Sequence, residues 1–166
     1  MKRADLLIAH NKGVYNIKVE GRANFEYGLP LRDFAKNLEG KFEKISIDLK
    51  SCTGMDSTFM GVLAMIGLKS HKIGAVVEII NAEANNRHLL IGLGLEKLFV
   101  FVDRQDIQEN VEWQQSESGQ DRMATAETVV EAHQTLMNVD QNNVPKFEKV
   151  VEFAQEDLDK IKKSSQ

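Results

Sequence analysis

The chain has 166 residues, of which 42% are hydrophobic and 28% charged. That is enough for one well-buried α/β core with an appendage, and too few for two full domains. The net charge of −4 excludes the broad positive field that a phosphate backbone requires, so nucleic acid is not an expected partner. The single cysteine, Cys52, allows no internal disulfide, and His10, His71, His88 and His133 show no metal-ligand spacing. Neither a cofactor nor a metal is expected. Leu6 to Ala9 is too short an apolar run for a signal peptide, and no stretch approaches the roughly 20 apolar residues that span a bilayer. A soluble, cytoplasmic protein is the expectation.

In chain order, Asp5 to His10 is a short apolar run that ends at Asn11-Lys12-Gly13. Tyr15, Ile17 and Val19 then alternate with polar partners at the strand period of two, which predicts a hairpin. Gly28-Leu29-Pro30 opens a helix in which Leu31, Phe34, Ala35 and Leu38 share a face and which Gly40 closes. Ile45 to Leu49 reads as a strand leading into a loop from Lys50 to Asp56. From Ser57 to about Lys69 the sequence is apolar on nearly every side, as in a helix packed against a sheet.

A buried strand at Ala75 to Ile80, a helix at Asn85 to Ile91 and a last strand at Leu98 to Val102 follow. Asp103 then caps a polar helix carrying Ile107 and Val111. The order ββαβαβαβα indicates a mixed sheet with helices packed on it. Residues 114–120 lack apolar side chains and read as a linker between a domain over 1–113 and a helical hairpin over 121–163. In that hairpin Ala126, Val129, Val130, His133, Leu136 and Met137 form one stripe. Phe147, Val150, Val151, Ala154, Leu158 and Ile161 form the other. The two stripes either pack on their own domain or form a dimerisation or partner-docking element, as in docking within a homodimer. Charge divides along the same line: residues 1–103 carry 14 basic and 12 acidic side chains, and residues 104–166 carry 7 and 13.

Asp56, Ser57 and Thr58 are the residue types that cap a helix, and by themselves they predict only that. The run from Ile47-Asp48-Leu49 through Met55-Asp56-Ser57-Thr58-Phe59-Met60-Gly61 resembles the core motif of the STAS family, anti-sigma-factor-antagonist type. Gly94-Leu95-Glu96-Lys97-Leu98-Phe99 resembles the same family's turn into its last strand. The resemblance covers roughly residues 5 to 112 and implies the STAS fold, an α/β arrangement with a mixed sheet, here followed by the C-terminal hairpin.

The resemblance further implies a non-enzymatic regulator of transcription, a phosphoprotein that switches partners. A serine-kinase anti-sigma factor or related kinase would bind and phosphorylate it at Ser57, or alternatively Thr58, and a serine phosphatase would restore it. Met55, Asp56, Ser57, Thr58, Phe59, Met60 and Gly61 would make the partner surface. Where Phe59 stands, the family commonly has glycine. A scaffold that uses the fold without phosphorylation, and an accessory subunit of a membrane transport system, are the alternative functions. For Met55, Phe59 and Met60, core and interface are equally compatible with the sequence. No GxSxG elbow surrounds Ser57, no phosphate-cradling glycine loop is present, and no catalytic residue is expected.

Overall fold

A computed structural model describes residues 5–38, 40, 42–104, 112–116 and 121–164. The hairpin forms as its alternation requires: β1 (Asp5–Asn11) pairs antiparallel with β2 (Val14–Ala23) around a turn in which Lys12 and Gly13 both have positive φ, at 48° and 81°. The first half of β2 runs parallel to β3 (Lys44–Asp48). After an irregularity at Gly21/Arg22 its second half turns to a short strand, β4 (Cys52–Met55). β5 (Val76–Ile80) and β6 (Val100–Val102) extend the sheet in parallel, and β7 (Gln114–Ser116) adds antiparallel to β1. The order across the mixed seven-stranded sheet is β6-β5-β3-β2-β1-β7, with β4 on β2.

Two of these strands differ from the sequence reading. β4 lies within the segment read as a loop, and β7 occupies the start of the segment read as a linker. Both bond through their backbones, which alternation of side chains does not reveal. The helix expected after Asp103 lies outside the described residues.

Helix α1 (Phe25–Asn37) starts three residues before the expected Gly28, because the Asn24 side chain accepts a hydrogen bond from the Glu26 amide and caps it there. α2 (Ser57–Lys72), α3 (Ala84–Gly92), α4 (Arg122–Val139) and α5 (Val144–Ser164) are the other helices among the described residues, with 3₁₀ turns at Leu95–Leu98 and Gln141–Asn143. One hydrophobic cluster joins Ile17, Ile45, Ile47 and Ile79 of the sheet to Leu31 of α1, Phe59, Leu63 and Ile66 of α2, and Ala132 and Leu136 of α4. The extension therefore contributes to the main core: α4 lies across α1 and α2, and α5 packs on α4. Within the chain, α4 packs on its own domain, one of the placements the sequence left open for these helices.

Candidate functional site

β4 delivers the chain to the start of α2. Asp56 sits in extended backbone just before the helix, and its Oδ1 accepts a 2.8 Å hydrogen bond from the Phe59 amide, so it is the cap that its residue type predicts. Ser57 is the first helical residue and is half-buried. The remaining residues of the motif turn inward: Met55, Thr58, Met60 and Gly61 are buried, and Phe59, at 0% exposure, belongs to the core. Met55 and Phe59 thus resolve toward packing, while Asp56 and Ser57 keep access to the surface.

The Ser57 hydroxyl is engaged from an unexpected direction. Its Oγ lies 2.7 Å from Nε2 of His133, a residue of α4 that is only 2% exposed. The other ring nitrogen, Nδ1, is 2.7 Å from the Val129 carbonyl, which can only accept, so Nδ1 carries the proton. Burial lowers the imidazole pKa and keeps the ring neutral; the Val129 carbonyl and the Asp56 carboxylate pull the other way. Nε2 is then a lone-pair acceptor, and Ser57 donates to it. The Phe147 ring of α5 meets the imidazole edge-on at 5.1 Å and closes the contact.

A serine donating to a neutral, oriented imidazole has the hydrogen-bond arrangement of a nucleophile–base pair. A cavity of about 310 Å³ lies elsewhere, lined by Tyr15 and Phe34 among others. Burial raises the Asp56 pKa; amide bonds from Phe59 and Phe25 and the proximity of His133 and Arg22 oppose the shift. Burial likewise pushes the Cys52 thiol up, its Sγ lying 3.3 Å from the Gly54 carbonyl, which leaves it a packing residue. Among the described residues no cluster of His, Cys, Asp or Glu could hold a metal ion, and no helix is long and apolar enough to cross a membrane.

A pH dependence follows. His133 has a folded pKa below its usual 6.5, so its contribution to stability is complete above pH 6.5 and is lost as pH falls through the folded value. Asp56, facing it, has the opposite sign. Its pKa is raised, so its contribution is present below its usual 3.8 and is lost as pH rises through the folded value. The denaturation midpoint is expected to drop as pH is lowered from 7.5 through the window just below 6.5, and His133→Phe, neutral at every pH, to flatten that drop. An unchanged slope in the variant would assign the dependence to other groups.

α4 is held on α1 and α2 by more than this bond. Arg32 of α1, 5% exposed, reaches Glu131 at 2.8 Å and Glu127 at 3.1 Å, and Lys36 joins Glu131 at 3.2 Å. The Arg32 pKa is raised by its bond to Glu131, and the Glu131 pKa is lowered by Arg32 and Lys36, the expected signature of a charge-assisted pair. Gly61 lets the two helices touch backbone to side chain: a Cβ there would lie 2.7 Å from Ala132 Cβ and collide with the Ala132 carbonyl oxygen. Arg32, Glu127 and Glu131 escaped the sequence reading, which placed His133 in a helical stripe without its contact to Ser57. An acidic i, i+4 pair in an otherwise apolar stripe, with a histidine two residues further, was the available signal.

In solved structures this arrangement of elements recurs. The chain is similar to the unphosphorylated form of the anti-sigma factor antagonist SpoIIAA, with a TM-score of 0.52 and 12% identity over 63% of this chain and 91% of that one. The fold is that of the STAS domain. A sulfate transporter family protein from Wolinella succinogenes is similar at a TM-score of 0.48 and 18% identity, covering 55% of this chain and 78% of the other. SLC26A9 is similar at 0.43 and 15%, covering 58% of this chain and 21% of that one. No protein-family model and no curated protein matches the sequence. In this chain, both stretches that carried the sequence resemblance lie under the C-terminal helices. Ser57 and Gly61 face α4, and at the Gly94 turn Asn143 donates to the Leu93 carbonyl, Lys146 to that of Gly92 and Lys97 to that of Val139.

Proposed function

We propose that this chain is a regulatory binding protein that acts as an anti-sigma-factor antagonist in a partner-switching pathway of the cytoplasm, with Ser57 as its phosphate acceptor. The observation that carries the reading is the position of Ser57: first residue of a helix, directly after an aspartate cap, half-buried at the end of β4, on the fold of an anti-sigma factor antagonist. A phosphate there is stabilised by the free amides and positive end of α2. It adds about −1.5 to −2 charges beside Asp56 and so repels a partner whose surface had accommodated a neutral hydroxyl.

The partners on this reading are a serine-kinase anti-sigma factor and a serine phosphatase, and the chain has no activity of its own. Asp56 and Ser57 are the direct contacts; Met55, Thr58, Phe59, Met60 and Gly61 shape the surface from beneath. Thr58, buried against α1, is the less accessible acceptor. Residues 1–113 form the switching module, and residues 121–163 its covering hairpin. The test is peptide mapping of protein recovered from its native cells during growth, stress and starvation. One phosphate on Ser57, absent from Ser57→Ala, is expected; no phosphate under any of these conditions overturns the reading.

A further inference from the structure

We infer that α4 is a displaceable, built-in occupant of the recognition surface on α1 and α2, and that the external partner which replaces it presents an acidic helix with a small residue at its closest approach. The inference rests on the reading of this chain as a binding module. The first support is chemical. Besides its apolar residues, the junction buries Arg32, Thr58, Thr128 and His133. Polar, charge-paired junctions of this kind characterise exchangeable interfaces, whereas permanent ones resemble an apolar core cut in two.

The second support is complementarity. A basic pair, Arg32 and Lys36, faces Glu127 and Glu131; Gly61 offers a groove that accepts a helix backbone only beside a small side chain, here Ala132; and Ser57 offers a hydroxyl to a buried acceptor. These features define what fits the surface once α4 leaves it. The third is steric. With His133 at 2.7 Å the Ser57 oxygen is engaged on its α4 side, so a phosphoryl group or a partner that takes that side displaces the imidazole.

The test uses the full chain and a fluorescent peptide of residues 121–140 as the probe. The double substitution Glu127→Lys with Glu131→Lys turns the attraction to Arg32 and Lys36 into repulsion. It should raise amide exchange in α4 and α5 while leaving β2, β3 and β5 protected, and the peptide should bind the variant at least tenfold more tightly than it binds the wild type. A second variant, Gly28→Cys with Thr128→Cys, places two thiols where a Cβ on Gly28 lies 3.6 Å from the Thr128 methyl. Its oxidised form should exclude the peptide, and reductant should restore the wild-type level.

Equal peptide binding by charge-reversed and wild-type protein overturns the inference. So does loss of protection across the whole sheet, which would make α4 an inseparable part of one cooperative unit. Neither measurement involves a phosphate, so failure here leaves the mapping of Ser57 untouched, and an unmodified Ser57 leaves this result standing.

Discussion

Gly61→Ala is expected to loosen α4 from α2 while the sheet stays folded. Inside a helix this exchange ordinarily stabilises by about 1 kcal/mol, since alanine restricts the unfolded chain and favours helical backbone. Here the new methyl group meets the Ala132 carbonyl oxygen and lies 2.7 Å from Ala132 Cβ, and a backbone oxygen has no rotamer with which to withdraw. Overpacking of this kind costs about 1–3 kcal/mol and locally more, so the sign reverses at the α2–α4 junction. Amide exchange in α4 should accelerate by roughly tenfold or more, the equivalent of about 1.4 kcal/mol. A rise in thermal stability with unaltered α4 protection would show that the two helices do not approach as closely as described.

Phe59→Ala should have the largest effect on the chain as a whole, a loss of about 3–5 kcal/mol in equilibrium denaturation with every probe reporting one transition. Phe59 has 0% exposure and belongs to the cluster that unites sheet, α1, α2 and α4. Its truncation leaves a cavity at the convergence of three layers. A residue facing a partner would behave otherwise, with affinity falling and stability holding. A loss below about 1 kcal/mol would return Phe59 to the partner-surface reading that the sequence left open.

The parts of this fold legible in the sequence are those written in side-chain periodicity. β1, β2, β3 and β5 alternate or run apolar, and α2 is apolar on all sides because it is enclosed by the sheet below and α4 above. β4 and β7 were not legible, since Cys52-Thr53-Gly54-Met55 has no run to alternate and Gln114-Gln115-Ser116 is wholly polar; each owes its existence to an unpaired neighbour's backbone. At the site, the motif located Ser57 and its cap. It could not locate His133, which is 76 residues away in sequence and is brought to the hydroxyl only by the docking of α4. Arg32 was hidden for a related reason: a charged residue on an amphipathic helix reads as solvated until the carboxylates that bury it are known.

The position of the covering helix in the chain has a bearing on synthesis. All strands from β1 to β6, and the first three helices, precede α4 in the order of translation. Domains fold as units while the ribosome adds roughly 5–20 residues per second. For several seconds each new molecule therefore displays Ser57 and the Arg32 groove with no His133, Glu127 or Glu131 yet made to meet them. A partner present at the ribosome finds the surface open at that stage, ahead of the chain's own helix.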